Sequence, residues 1–184
     1  MPITKISINN FRCFKNLELS LSPGINFFFG SNGSGKTSIL ESVFIFSSGK
    51  SFKSSNLTSL INYDNDKFTL KGFDNKKGYI VEIEKSKNKT ISISLNNNKT
   101  NTNKLVKEFP CTPIHNNTFS FANASPDFRR KLVDRSIFIA EDNFSKAWFS
   151  FYRSLRQRNF LLKNNRISDI YSWNTKLADE AVKL

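Results

Sequence analysis

Residues 30–37 read Gly-Ser-Asn-Gly-Ser-Gly-Lys-Thr and match the pattern G-x-x-x-x-G-K-[S/T] at every position. An apolar run at residues 25–29 precedes this segment, and a helical pattern begins at Lys36. A buried strand, a glycine-rich loop and a helix, in that order, are the context that a phosphate-binding P-loop requires. The sequence therefore predicts an α/β fold arranged around a strand, this loop and the helix that follows it.

The residue types in the loop suit the phosphates of ATP bound with Mg²⁺. Glycines allow the tight turns that point successive backbone N–H groups inward, at the positive end of a helix. Lys36 is expected to reach the β- and γ-phosphates, and Thr37 to offer its hydroxyl to Mg²⁺. Side chains of Asn32 and Ser34 add further contacts. The predicted nucleotide-binding residues are Gly30, Ser31, Asn32, Gly33, Ser34, Gly35, Lys36, Thr37 and Ser38.

Hydrolysis of ATP requires more than this loop, namely a carboxylate after a second apolar strand and a residue that positions water. No run of four apolar residues followed by Asp-Asp or Asp-Glu occurs in the sequence. The nearest candidates, Glu141 and Asp142, fall in a predicted helix. The sequence thus identifies no catalytic residue, and whether the chain is an enzyme stays open.

Alternating or continuous apolar residues predict strands at residues 3–10, 17–21, 25–29, 67–70, 79–83 and 90–95. The helix from Lys36 is expected to end at residues 47–49 and to bury one face, formed by Ile39, Leu40, Val43, Phe44 and Phe46. Residues 85–107 are rich in Lys, Asn, Ser and Thr, which favours a mobile loop or a hairpin tip.

A helical arm is predicted from Ser125, where Ser-Pro-Asp is a typical helix start. Phe144, Trp148, Phe151, Leu155 and Leu162 recur at four-three spacing, interrupted at Arg158, and predict a packing stripe. Residues 128–166 hold ten Lys or Arg against three acids, with seven arginines among the ten. Such a run is either a solvated face or a phosphate-binding surface. The predicted domains are residues 1–124, with the P-loop, and residues 125–184.

Composition limits the class of protein. A length of 184 residues suits one domain or one lobe of a larger domain, and a formal charge of +13 favours nucleic acid as a partner. Codon bias toward lysine is the alternative source of that charge. No apolar run approaches a membrane span, and Cys13, Cys111 and His115 have no metal-ligand spacing, so a cytoplasmic protein without disulfides or zinc is expected.

Several further motifs resemble the RecF family, bacterial DNA replication and repair ATPases related to the ABC-type heads of SMC proteins. They span nearly the whole chain and comprise Ile8-Asn9-Asn10-Phe11-Arg12-Cys13-Phe14, Pro23-Gly24-Ile25-Asn26, the P-loop through Leu40-Glu41-Ser42-Val43, Gly49-Lys50-Ser51-Phe52-Lys53, Ser125-Pro126-Asp127-Phe128-Arg129-Arg130 and Leu155-Arg156-Gln157-Arg158-Asn159. The resemblance implies the amino-terminal lobe of an ABC-type P-loop ATPase head, a mixed sheet around the P-loop helix, followed by a helical arm.

The same resemblance implies an ATP-dependent DNA-binding protein of replication and recombinational repair, active at gaps or stalled forks on single- and double-stranded DNA. It implies RecO and RecR as partners, recombinase loading, an ATP-dependent homodimer and a role in the SOS response to DNA damage. Arg12 would lie near the nucleotide. The residues expected to contact DNA are Lys53, Arg129, Arg130, Arg153, Arg156 and Arg158.

Two departures from the family pattern leave other readings open. RecF proteins are about twice as long, with the signature motif and the magnesium-binding and catalytic acids in the carboxyl half, and His115-Asn116-Asn117 replaces the usual Pro-Glu pair. A non-hydrolysing DNA-binding module, or an inactive fragment of a split gene, is therefore an alternative. A P-loop kinase is a weaker one, because no lid arginine pattern is evident.

Overall fold

The computed structural model describes residues 3–114 and 125–184. The chain divides into two compact units, Met1–Asn116 and Asn117–Leu184. The segment His115-Asn116-Asn117 lies outside the described residues, as do the residues just before the predicted domain boundary at 124/125. That boundary therefore stays a prediction.

The first unit contains a six-stranded sheet with the order β2-β1-β3-β4-β5-β6. Its strands are β1 (Lys5–Phe11), β2 (Phe14–Ser20), β3 (Lys67–Asp74), β4 (Tyr79–Ser86), β5 (Ser92–Leu95) and β6 (Asn98–Lys99). Every pairing between these strands is antiparallel. The predicted mixed sheet would also contain parallel pairs, and none occurs between the described strands.

Alternation in the sequence explains which side chains the sheet buries. In β1, Ile6 and Ile8 are fully buried, as the period of two requires. In β3 the same pattern buries Phe68 and Leu70, and the ring of Phe68 meets that of Phe11 edge to face at 5.2 Å. The predicted strands at 3–10, 17–21, 67–70, 79–83 and 90–95 are confirmed, with β3 and β4 longer than expected.

The P-loop helix is α1 (Lys36–Ser48), and it packs on the sheet and on α2 (Thr102–Glu108). Gly49 ends it in a left-handed conformation, φ 62°, with its N–H bonded to Ile45 O at 2.8 Å. Ile39, Phe44 and Phe46 are buried as predicted. Leu40 is exposed, contrary to the prediction. The buried side of α1 includes Ile45, and the described residues leave the side that carries Leu40 uncovered.

Residues 85–107 are more ordered than their composition suggests. They contain the end of β4, the β5–β6 hairpin and most of α2, where a mobile loop or hairpin tip was expected. Asn101 caps α2 by accepting the N–H of Lys104, and Leu105 is fully buried. A hydrogen bond from Lys77 to Glu108, which raises the pKa of Lys77, joins the β3–β4 turn to α2.

The apolar run at residues 25–29 is not a strand, contrary to the sequence prediction. Ile25, Phe27 and Phe29 are 79%, 83% and 94% exposed, whereas Phe28 packs against the core. A β-strand exists only where a neighbouring strand accepts and donates its hydrogen bonds. The described residues place no strand beside this segment, so it enters the P-loop unpaired.

The second unit is helical, with α3 (Pro126–Ala140), α4 (Phe144–Lys163) and α5 (Ile170–Ala181). Ser125 caps α3 by accepting the N–H of Phe128, which confirms the predicted start. Phe144 is buried at one end of the predicted α4 stripe, and Trp148, Phe151 and Leu155 are half-buried.

The α4 stripe ends differently from the prediction. Leu161 is buried and Leu162 exposed, because an α-helix advances 3.6 residues per turn and the stripe drifts by one position. At the predicted interruption, Arg158 Nε donates to Asn174 Oδ1 on α5 at 2.7 Å. α4 thus packs on α5. No helix in residues 3–114 or 125–184 is both long and apolar enough to cross a membrane.

Candidate nucleotide-binding site

The loop at residues 30–37 has the backbone of a phosphate cradle. Gly30, Gly33 and Gly35 have φ values of 150°, 85° and 92°, which are unfavourable for residues with a side chain. α1 begins at Lys36 directly after the loop, and Ile39 N closes its first turn on Gly35 O at 3.0 Å. The free N–H groups of this first turn and the helix dipole favour an anion.

Gly35 is required by a close approach as well as by its φ angle. A Cβ atom at this position would lie 2.3 Å from Phe14 Cζ and 2.9 Å from Cys13 Sγ. Cys13 belongs to the turn that joins β1 to β2, and Phe14 is the first residue of β2. The P-loop therefore rests against this hairpin turn with no room for a side chain.

Lys36 folds back over its own loop. Its Nζ donates to the backbone oxygens of Gly30 and Ser31, both at 2.8 Å. These bonds hold an ammonium group above the loop, where a phosphate oxygen can take the place of a carbonyl. The geometry thus suits the role predicted for Lys36.

A cavity of about 420 Å³ opens beside the loop. It is lined by residues from the P-loop and from two other segments, namely Arg12, Cys13, Asn32, Gly33, Gly35, Lys36, Thr37, Ser38 and Lys53. Three of these side chains are cationic and none is acidic, which fits a polyphosphate. Arg12 is part of this lining, and its predicted position near the nucleotide stays a prediction.

Arg12 is held by Glu41 on α1. Arg12 Nε and NH2 donate to the two carboxylate oxygens at 3.0 Å each, and Glu41 is only 1% exposed. The Arg12 backbone adopts φ 54°, and its N–H and C=O bond Leu60 O and Asn62 Nδ2 at 2.7 and 2.8 Å. Backbone strain of this kind persists where surrounding contacts hold the residue, and it is concentrated at functional sites.

Ser51 extends this network to Lys53. Its hydroxyl donates a short hydrogen bond to Glu41 and accepts the N–H groups of Lys53 and Ser54, both at 2.9 Å. The buried carboxylate therefore orders two segments that carry cations to the cavity, one through Arg12 and one through Lys53.

The residues predicted to contact DNA are not all in one place. Lys53 lines the cavity of the P-loop. Arg129 and Arg130 are exposed on α3, and Arg130 lies 3.5 Å from Asp127. Arg153 and Arg156 are exposed on α4, whereas Arg158 is half-buried against α5. Their contact with DNA stays a prediction.

The roles of Glu41 and Ser51 were not predicted from the sequence. Glu41 pairs with a residue 29 positions away, and no local sequence pattern predicts such a pair.

The described residues contain no cluster of three or more His, Cys, Asp or Glu that could hold a metal. Thr37 is exposed and lines the cavity. The binding of Mg²⁺ by its hydroxyl stays a prediction.

Comparison with known proteins agrees with this geometry. The family described as "AAA domain" matches residues 5–181, nearly the whole chain. The chain belongs to the AAA domain family. This AAA domain is also similar to proteins named "DNA replication and repair protein RecF", 34% identical over 100% of the chain in Aliivibrio fischeri strain MJ11 and 34% over 97% in Actinobacillus pleuropneumoniae serotype 5b. The resemblance to RecF is thereby confirmed.

The AAA domain spans about half the length of the curated relatives it matches, 53% and 51% in these two cases. A solved structure of the recombination mediator protein RecF-ATPrS in the RecFOR pathway matches with a TM-score of 0.81 and 26% identity. That match covers 96% of this chain and 50% of the other.

An SMC ATPase structure, concerned with ATP-driven dimerization, matches with a TM-score of 0.56 and 19% identity over 72% of this chain and 98% of that one, which shows the fold alone. The predicted fold, an amino-terminal lobe of a P-loop ATPase head followed by helices, is confirmed.

Proposed function

We propose that this chain is the ATP-binding half of a RecF-like protein, which binds DNA in replication and recombinational repair under the control of ATP. The observation that carries the proposal is the cavity in which Lys36, Arg12 and Lys53 meet beside a P-loop at the start of α1. Support comes from relatives named for DNA replication and repair and from a RecF structure whose name includes bound ATP. A cytoplasmic location and a part in the SOS response belong to the same proposal.

ATP would be held chiefly by its phosphates. Backbone N–H groups of the loop and the Nζ of Lys36 would bind them, while Arg12 and Lys53 would offset charge from the opposite side of the cavity. Thr37 would contribute its hydroxyl to Mg²⁺, which supplies charge neutralisation at the β- and γ-phosphates when bound. The donor set fits this group because the cavity lining is cationic and polar.

Hydrolysis would depend on groups from outside the described residues. Glu41 is the acid nearest to the cavity in this network, and both of its oxygens are engaged by Arg12, with Ser51 adding a further bond. It is therefore unsuited to act as a general base. We propose that the remainder of a RecF-like protein supplies the carboxylate needed for hydrolysis, and that two such proteins dimerise when ATP is bound.

The unpaired segment at residues 25–29 is the proposed junction with that remainder. Ile25, Phe27 and Phe29 are exposed, and residues 25–29 belong to no strand of the described sheet. Both features favour the addition of a strand. RecO and RecR are proposed as partners of the assembled protein, with recombinase loading as its outcome, by similarity to RecF.

An assay of DNA binding with and without ATP·Mg²⁺ tests the proposed function. Fluorescence anisotropy with gapped DNA should show tighter binding in the presence of ATP, and Lys36→Ala should abolish that increase. Lys50→Ala, which removes an exposed lysine outside the cavity lining, is the matched control and should keep it.

A second candidate, a DNA-binding module that does not hydrolyse ATP, draws on the engagement of Glu41 by Arg12 and Ser51. DNA binding indifferent both to ATP and to Lys36→Ala would establish the module and refute the ATP-controlled reading.

A further inference from the structure

One face of α4 combines aromatic and cationic side chains and lies away from α5. We define the α4 outer face as six exposed residues at spacings of three and four: Phe149, Tyr152, Arg153, Arg156, Phe160 and Lys163. Residues at these spacings share one side of a helix. Exposed aromatic rings that share one side of a helix form an apolar patch, and such patches mark binding surfaces more often than singly exposed rings do.

The ring of Tyr152 is held in place before any ligand arrives. Its centroid lies 4.2 Å from that of Trp148, and Phe151 meets it edge to face at 5.4 Å. Trp148 is itself anchored, since its Nε1 donates to Asp134 Oδ2 on α3 at 2.9 Å. A ring that is already ordered loses little conformational entropy when a ligand stacks on it.

The charge of α4 is of one sign. Residues 144–163 contain Lys146, Arg153, Arg156, Arg158 and Lys163 and no Asp or Glu. Within the described ranges, Arg153, Arg156 and Lys163 form no ion pair with another residue. A surface with several cations and no acid complements a polyanion.

The two features meet in a groove. A cavity of about 370 Å³ lies along Tyr152, Arg156 and Phe160, with Leu155, Asn159 and Lys163 at its sides. Tyr152 and Phe160 are two helical turns apart, ~12 Å at 1.5 Å per residue, and Arg156 lies midway. Apolar ring faces alternate with phosphate-binding groups along the groove.

We propose that the α4 outer face binds single-stranded DNA, with bases stacked on Tyr152 and Phe160 and phosphates paired with Arg156 and Lys163. Stacking needs exposed base faces, which a single strand offers and a duplex hides. A protein occupant would have to supply carboxylates for these cations and apolar groups for the rings, whereas a single strand offers phosphates and base faces along its whole length. The inference rests on the proposed function in its assumption that the chain binds DNA, and it assigns the single-strand contacts to one surface.

The test is fluorescence anisotropy with labelled oligo(dT) and a duplex of equal length, using the full chain. Tyr152→Ala/Phe160→Ala should weaken oligo(dT) binding by about tenfold or more and leave duplex binding within about twofold. The control Tyr171→Ala, which removes an exposed ring on α5, should leave both unchanged. Arg156→Gln/Lys163→Gln should reduce the salt slope for oligo(dT) by about 1.4, at about 0.7 per phosphate contact.

Two further measurements guard against a folding defect. Tyr152→Phe/Phe160→Tyr keeps both rings and should retain oligo(dT) binding. Ultraviolet cross-linking of 5-iodouracil DNA to the wild-type chain should map by mass spectrometry to the α4 outer face.

Three results would overturn the inference: oligo(dT) affinity unaltered in the alanine variant, cross-links confined to other elements, or a tenfold preference for oligo(rU) over oligo(dT). A concentration-dependent dimer abolished by the alanine substitutions, with oligo(dT) affinity unchanged, would assign the face to self-association instead. The two proposals can fail separately. If Lys36→Ala abolishes ATP-stimulated DNA binding but Tyr152→Ala/Phe160→Ala leaves oligo(dT) binding unchanged, the proposed function is supported and only the stacking surface is refuted.

Discussion

Arg12 and Glu41 form a two-point ion pair in which the arginine faces the nucleotide cavity and the carboxylate is 1% exposed. The arrangement joins the turn after β1 to the P-loop helix. Ser51 adds the segment that carries Lys53 to the same carboxylate. Glu41 thus links the P-loop helix to the two segments that carry Arg12 and Lys53 to the cavity.

Glu41→Gln should destabilise the fold and lower ATP affinity together. An amide can accept from only one side of the guanidinium, and its own NH₂ meets a donor, so the cost is about 2 kcal/mol of unfolding free energy. Glu82→Gln is the control, because the 3.2 Å pair of Glu82 with Lys71 is partly exposed and contributes about 0.5 kcal/mol or less. Urea denaturation gives the unfolding free energy of each variant, and isothermal titration gives its ATP affinity. Equal losses in the two variants would contradict the role given to the Arg12–Glu41 pair.

Gly35→Ala should be more damaging than Gly33→Ala. Both positions have positive φ, which costs about 1–2 kcal/mol for alanine. Only at Gly35 would the new methyl group also clash with Phe14 Cζ, at 2.3 Å. A Cβ atom at Gly33 would have no neighbouring atom within 4 Å. Thermal unfolding of the two variants measures the difference. Phe14 packs against the core, so Phe14→Ala is itself destabilising, and the test is that Gly35→Ala should cost less in the Phe14→Ala background than in the wild-type background. An equal cost in both backgrounds would show that the clash is not the cause.

Sequence reasoning succeeded where the determinant is local. The alternation at Ile6 and Ile8, the glycine pattern of the P-loop and the cap at Ser125 each depend on neighbours in the chain, and each is confirmed. The strand predicted at residues 25–29 is wrong, because an apolar run predicts a strand but does not indicate whether a partner strand is present.

Long-range geometry accounts for the other differences. The contact of Arg12 with Glu41 and the exposure of Leu40 depend on which elements pack together. The polar composition of residues 101–108 hid a helix that α1 and a capping Asn101 stabilise. Propensity yields to tertiary packing in such short segments.

Lys53→Ala should lower ATP affinity more than it lowers DNA affinity, because the side chain lines the nucleotide cavity. A reduction of about threefold to tenfold is expected for the loss of one charged contact to phosphate. Isothermal titration with ATP and anisotropy with DNA give the two affinities for the same protein sample. A loss confined to DNA would instead support the DNA contact predicted for Lys53 from the sequence.

Phe27→Ser/Phe29→Ser should reduce association of the isolated chain. These rings are 83% and 94% exposed on an unpaired backbone, a combination that favours intermolecular strand pairing. Light scattering after size-exclusion chromatography should show fewer aggregates than for wild type. Tyr63→Ser removes a similarly exposed ring from a turn and should have no effect. A wild-type chain that melts cooperatively as a monomer would contradict this prediction.

The central claim is that residues 30–37 bind nucleotide phosphates, and a titration of the purified chain with ATP tests it most directly. With Mg²⁺ present, isothermal calorimetry should detect one site, and Lys36→Ala should weaken it by about tenfold or more while changing unfolding free energy by at most about 1 kcal/mol. Lys50→Ala should bind as wild type does. ATP affinity that is absent in the folded wild-type chain, or equal in wild type and Lys36→Ala, would contradict the account.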